Sequence, residues 1–215
     1  MSQGRFITFE GGEGTGKSTQ IRRLADRLQD LGVEVVVTRE PGGSPGAEAL
    51  RQLLLVGESD RWSPISETLL MYAARADHLE RTIRPALDRG AVVLCDRFFD
   101  STRAYQGAGG GAPVSLIAEL EAAVVSETRP DLTLIFDAPV ELGLARAQSR
   151  NAGEARFEGK GLAFHQRLRA AFLAIAAAEP ARCLVIDATP AIEAVEAEVA
   201  LQIGAQLGLG LEAED

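Results

Sequence analysis

The chain has 215 residues, 46% of them hydrophobic and 25% charged, with a formal net charge of -9. That length and balance suit one globular domain whose core needs no disulfide staples, and no apolar run approaches the roughly 18 residues needed to cross a bilayer. The acidic balance argues against coating a nucleic-acid polymer, which needs phosphate-neutralising charge, and leaves room only for a local basic pocket.

Residues 5–10 read as a short buried strand that runs into FEGGEGTGKST at 9–19. Residues 17–31 then carry Ile21, Leu24, Leu28 and Leu31 at helical spacing and stop at Gly32. Further strands are expected at 33–38, 91–95, 132–136 and 183–187, rich in Val, Ile, Leu and Phe without clean alternation. Helices are expected at 47–56, at 65–88 as one long element, and at 114–126, 140–150, 161–178 and 191–207. Strand and helix in alternation indicate an α/β fold: a parallel sheet covered on both faces, with ligands bound beyond the carboxyl ends of its strands. Glu10, Arg39-Glu40, Asp96-Arg97 and Asp137 all stand at such ends and are expected to converge on one edge.

GAGGGA at 107–112 reads either as a flexible surface connector or as a loop that moves over substrate. One domain over 1–208 and a frayed acidic tail over 209–215 complete the organisation. Cys95 and Cys183 lie in apolar segments and are expected as reduced core thiols. The polar start does not resemble a secretory leader, so a cytoplasmic location is expected.

The segment Gly11, Gly12, Glu13, Gly14, Thr15, Gly16, Lys17, Ser18 satisfies G-x-x-x-x-G-K-[ST] between a strand and a helix. Glycines let successive N–H groups turn inward around phosphate oxygens, while the helix that follows offers the positive end of its dipole. Lys17 is placed to reach the β- and γ-phosphates, and the Ser18 hydroxyl to bind Mg²⁺. No Asn-Lys-x-Asp motif supports guanine specificity. A phosphorylated acceptor needs its own cations, for which Arg39, Arg51, Arg75, Arg97 and Arg103 are available. The loop alone leaves open a kinase for a nucleotide or other small metabolite and an ATP-dependent switch.

FEGGEGTGKST, TREPGG, LLMYAARADHL, DRFFDSTRAYQG, RPDLTLIFDAP and IDAT occur in one order over nearly the whole chain. Together they resemble the thymidylate kinase family. The resemblance implies a P-loop nucleoside monophosphate kinase fold with a five-stranded parallel sheet and a short lid at about 146–160. It also implies ATP as donor, dTMP as acceptor, Mg²⁺ as cofactor and a homodimer. ATP would be held by Gly11 through Thr19, meaning Gly11, Gly12, Glu13, Gly14, Thr15, Gly16, Lys17, Ser18 and Thr19, and by Arg146. Lys17, Arg97, Arg150 and Arg156 would meet the charge of the transferring group, with Ser18 and Asp96 on the metal.

The acceptor phosphate would lie against Arg51 and Arg97, and the base against Arg75, Thr102 and Gln106. Tyr105 would pack beneath the deoxyribose, Glu13 near its 3'-hydroxyl, and Glu40 with Pro41 along the wall. Where the family often has a phenylalanine stacked on thymine, this chain has Met71 followed by Tyr72. Tyr72 substitutes only if the helix phase shifts, because neighbouring helical residues point about 100° apart. Some members place an arginine at the position of Gly14. Its absence assigns that charge to the 146–156 region, where Arg146 and Arg150 stand at i, i+4 spacing.

Overall fold

The computed structural model describes residues 4–58, 60–149 and 160–211. The apolar runs become β1 (Arg5–Gly11), β2 (Val35–Arg39), β3 (Val92–Asp96), β4 (Leu132–Asp137) and β5 (Cys183–Asp187), paired in the order β2-β3-β1-β4-β5 with every pairing parallel. The glycine-loop strand is therefore central. Its register sets Phe9 beside Asp96, Asp96 beside Arg39, Gly11 beside Phe136 and Asp137 beside Asp187. The polar strand ends thus form one continuous edge, as the sequence predicts.

Alternate residues of each strand feed opposite layers. Ile7, Phe9, Leu94, Leu134 and Phe136 pack with Ile21, Leu24 and Leu28 of α1 (Lys17–Asp30) and with Val195, Val199 and Ile203 of α9 (Ile192–Leu207). Phe6, Val93 and Cys95 meet the opposite layer, which includes α3 (Pro64–His78) and α6 (Val114–Val124). On the same side Ile135 and Cys183 pack on α8 (Leu162–Ala178). Burial on both faces explains why the strands read as unbroken apolar runs. Both cysteines are buried and unbridged.

Local chemistry sets the helix starts. Ser44 caps α2 (Pro45–Leu55) and Ser63 caps α3, each side chain accepting an amide N–H, with proline in the first turn. The single helix expected at 65–88 is interrupted: α3 passes through a π-helical turn at Leu79–Ile83 before α4 (Arg84–Asp88). Pro85 is the cause, because it has no amide to give the preceding turn; the Arg84 amide instead reaches back to the Leu79 carbonyl.

Two other segments depart from expectation. Residues after Arg97 form α5 (Phe99–Thr102) and a π-helical stretch at Arg103–Gly109. Half of the supposed flexible connector is thus helix, and Ala112 is buried. A Cβ on Gly109 would lie 2.7 Å from the Phe164 ring, so glycine here serves close packing on α8. In the expected tail, Leu211 is buried in the α1/α9 layer; residues 212–215 lie outside the described residues. The α7 helix (Val140–Gln148) follows β4, and among the described residues no helix is long and apolar enough to cross a membrane.

Candidate active site

β1 ends where Gly11 takes φ 127°, and a Cβ there would stand 2.4 Å from the Phe136 carbonyl oxygen of the neighbouring strand. The chain can turn under the sheet edge only without a side chain. Gly16 closes the loop in a left-handed conformation and caps α1, so Lys17 begins the helix. Its Nζ is buried and donates to the carbonyls of Gly11 at 3.2 Å and Gly12 at 2.7 Å and to Thr15 Oγ1 at 3.3 Å. Burial and the Arg97 charge push Lys17 down to about 8, against the pull of Asp96, Glu13 and Glu10.

Gly14 meets a second backbone. A Cβ on it would lie 1.9 Å from the Gly143 carbonyl oxygen in α7, and a Cβ on Gly143 would lie 2.5 Å from the Glu13 carbonyl oxygen. The two glycines let the loop and the helix touch directly. No side chain fits at position 14 in this arrangement, which is the physical reason for the missing loop arginine.

Arg97 follows β3 in a left-handed conformation, φ 66°, which a non-glycine residue holds only when its surroundings enforce it. Its amide donates to the Phe9 carbonyl, its Nη1 to the Gly11 carbonyl at 2.9 Å, and its Nη2 to Glu13 Oε1 at 2.9 Å. Lys17 and Arg97 thus share the Gly11 carbonyl. The Tyr105 hydroxyl donates to the same Glu13 oxygen at 2.7 Å, and the Arg97 guanidinium lies over the Tyr105 ring. Burial would raise the Glu13 carboxyl, but Arg97, Lys17 and Tyr105 outweigh it and hold the group at about 2.

A cleft opens beside these residues, lined by Glu13, Glu40, Pro41, Met71, Arg75, Arg97, Thr102, Tyr105 and Gln106, together with Leu55, Phe98 and Ser101. Arg75 is 2% exposed and held between aromatic rings, its guanidinium 4.7 Å from the centroid of Tyr72 and 5.2 Å from that of Phe98. Its Nε donates to Glu40 Oε2 at 2.8 Å and its Nη2 to Thr102 Oγ1 at 3.1 Å. Glu40 Oε1 also pairs with His78 Nδ1 at 3.0 Å, and His78 Nε2 with Thr38 Oγ1 at 2.7 Å. This hydrogen-bonded series leaves one atom over: among the described residues, Arg75 Nη1 is buried and has no hydrogen-bond partner. A buried N–H without an acceptor is costly, so its presence in a cleft wall points to a ligand acceptor.

Helix phase decides between the two α3 candidates. Met71 lines the cleft, whereas Tyr72 is buried in the layer behind it. Arg51 stands outside the lining and donates its Nη1 to the Pro41 carbonyl at 2.6 Å. Arg146 on α7 donates to the carbonyls of Ala188 and Thr189, within the IDAT segment. Arg150 and Arg156 lie outside the described residues.

Two of the other cations serve elsewhere. Arg39 is exposed and pairs with Glu48. Arg103 binds Asp100, Glu121 and Glu179, and with Arg129 and Arg182 surrounds the Phe99 ring, a network that anchors α5. Sequence reasoning missed Phe98 and Ser101, although their position just after Asp96-Arg97 marks them. It also missed Glu67 and His78, whose partners are distant in the chain.

Ser18 Oγ donates to Asp96 Oδ2 at 2.7 Å on the exposed side of the loop. A hydroxyl and a carboxylate are hard oxygen donors that fit Mg²⁺, which fills its other positions with water and substrate phosphates. Among the described residues no cluster of three or more His, Cys, Asp or Glu side chains competes as a metal cage.

Glu10 is fully buried at the end of β1 and receives three donors: the Phe98 amide at 2.7 Å, the Ser101 amide at 3.2 Å and the Ser101 hydroxyl at 2.6 Å. It fastens the chain on the far side of Arg97. Burial and the neighbouring Asp100 push its carboxyl up to about 7, against the opposing pull of Ser101, Arg97 and the Phe98 amide. A carboxyl raised in the folded state binds more protons there than in the unfolded chain, so its contribution is favourable below about pH 4.5 and is lost as pH rises through about 7. In denaturant titrations, the stability of Glu10→Gln relative to the parent should therefore rise between about pH 5 and pH 8 by on the order of 2–3 kcal/mol. A flat difference across that window rules out the raised carboxyl.

Residues 9–199 match the thymidylate kinase family. A thymidylate kinase of Caulobacter vibrioides is 67% identical over 209 residues, covering 97% of this chain and all of the relative. One from Pseudomonas fluorescens is 55% identical over 193 residues, covering 90% and 91% of the two chains. The crystal structure of thymidylate kinase from Ehrlichia chaffeensis superposes with a TM-score of 0.77 at 36% identity, covering 94% of this chain and 99% of that one. The sheet order, the glycine loop and the cleft beside it are thus those of a chain that belongs to the thymidylate kinase family.

Proposed function

We propose that the chain transfers the γ-phosphoryl group of ATP to dTMP, giving dTDP and ADP. The observation that carries this reading is the unpaired, buried Nη1 of Arg75 in a cleft whose wall also includes Arg97 and Glu13 of the glycine loop. A pyrimidine carbonyl supplies the acceptor that Nη1 lacks, and Thr102 and Gln106 face the same ring's imide edge. The acceptor phosphate then meets Arg97, with Arg51 approaching from behind Pro41. Met71 gives a polarisable contact to the base. Tyr105 packs under the sugar, where a 2'-hydroxyl would be crowded, and Glu13 receives the 3'-hydroxyl.

The dTMP phosphate is already nucleophilic, so the reaction needs positioning and charge stabilisation, with no general base. The loop from Gly11 to Thr19 cradles the donor phosphates through backbone N–H groups, and Lys17 and Arg97, joined at one carbonyl, stand between donor and acceptor. Arg146 contributes on the nucleoside side. Arg150 and Arg156 are assigned to the donor phosphates on the strength of the family resemblance and the space closed at Gly14. Ser18 and Asp96 would hold Mg²⁺, which when bound neutralises charge on the phosphates. The single-domain organisation, a cytoplasmic location and a homodimer belong to the same reading.

A coupled assay of ADP release with ATP against dTMP, dUMP, UMP and thymidine tests it. Turnover should be highest with dTMP and at least about tenfold lower with UMP, the usual cost of a misfit at one buried group. Phosphorylation of thymidine but not dTMP makes the protein a nucleoside kinase, and ADP release independent of any acceptor makes it a switch.

A further inference from the structure

In the wall of the acceptor cleft, Gln106 is buried and donates its Nε2–H to Glu67 Oε1 at 2.8 Å. Glu67 is also buried, in the first turn of α3. An ionised carboxylate accepts hydrogen bonds and donates none, so the Gln106 amide meets it only through its NH₂ end. The opposite polarity would set two oxygens against each other in a buried place. Among the described residues the Gln106 side-chain carbonyl oxygen has no hydrogen-bond donor, and the residue lines the cleft beside Arg75.

We infer that Glu67 fixes the polarity of the Gln106 amide and thereby selects bases that carry an N–H at ring position 3. Arg75 Nη1 offers a donor and Gln106 an acceptor. That pair complements a ring carbonyl beside an N–H, the edge shared by thymine and uracil. Cytosine presents the reverse order, an amino donor beside an acceptor nitrogen, and is mismatched at both groups. Arg75 cannot change its polarity, because guanidinium has no acceptor. Gln106 could, and Glu67 prevents it. Glu67 is in this sense a positioning residue that acts on the base through Gln106. The inference rests on dTMP being the acceptor.

Glu67→Gln is the test, since two amides of similar size can pair in either polarity. kcat/KM for dTMP should fall about tenfold or more, through KM with kcat retained, the effect of one poorly made buried hydrogen bond. The inhibition constant of dCMP against dTMP should stay level or improve, so the dTMP preference over dCMP should drop at least tenfold. In a Gln106→Met background the same Glu67→Gln change should leave that preference unaltered, because the amide it acts through is gone. An unchanged preference, a parallel loss for both nucleotides, or an equal effect in the Gln106→Met background overturns the inference. A parent enzyme that does not turn over dTMP instead overturns the functional reading itself.

Discussion

Lys17→Ala should lose about 10²–10³-fold in kcat while remaining at least as stable as the parent, the scale expected when one preorganised charge is removed from a water-poor site. The two halves of that expectation have one cause. Lys17 is 6% exposed, and burial beside Arg97 lowers it to about 8. Holding the ammonium charged in that place costs the fold on the order of 3 kcal/mol, by the conversion of a shift of that size. Alanine removes the cost together with the charge. Single-turnover measurements with ATP and dTMP, paired with urea unfolding, separate the two effects. Near-normal turnover removes the glycine loop from the chemistry, and a large loss of stability removes the argument that the charge is held against the interest of the fold.

Arg75→Met should be damaging in both respects. Arg75 and Glu40 form a salt bridge at 2.8 Å with side chains 2% and 4% exposed, and removing one partner of such a pair strands a buried charge at a cost of about 3–5 kcal/mol. The same change removes the unpaired Nη1, so the KM for dTMP should rise about a hundredfold, more than for loss of a neutral hydrogen bond. The double variant Arg75→Met/Glu40→Gln distinguishes the roles. It replaces the stranded carboxylate with a neutral group and should recover most of the stability while KM stays high. Recovery of both would show that Arg75 serves the fold alone. Arg75→Lys should not rescue binding, because one ammonium cannot reach Glu40, Thr102 and a ligand in the fork geometry that guanidinium provides.

Features set by local chemistry were the ones legible in the sequence. The five strands, the glycine loop and the helix after it follow from apolar runs and from glycine spacing. The bounds expected for β5 are the observed ones, and those for β1 and β4 fall within one residue at their ends. The sequence leaves open whether Met71 or Tyr72 meets the base; the phase of α3 in the structure puts Met71 in the cleft wall and Tyr72 in the core behind it. The misreadings share a different origin. Residues 107–112 look mobile by composition, but Gly109 among them is explained by Phe164 and Leu168, more than fifty residues later in the chain. Arg103 is one arginine among many in sequence, and only the carboxylates at 100, 121 and 179 take it away from the site. Glu67 and Gln106 are 39 positions apart, and no local pattern announces that one orients the other.

The contact between Gly14 and Gly143 has a consequence for how this loop can change over evolutionary time. With a Cβ at position 14 falling 1.9 Å from the Gly143 carbonyl oxygen, an arginine cannot be acquired there by a single substitution, however useful its charge. The first half of α7 would have to withdraw from the loop beforehand, and α7 is the helix that carries Arg146 and leads towards Arg150. Moving the helix to admit a loop side chain would also shift Arg146, which reaches the Ala188 and Thr189 carbonyls from it. As long as α7 packs on the loop in this way, the backbone contact itself holds position 14 to glycine.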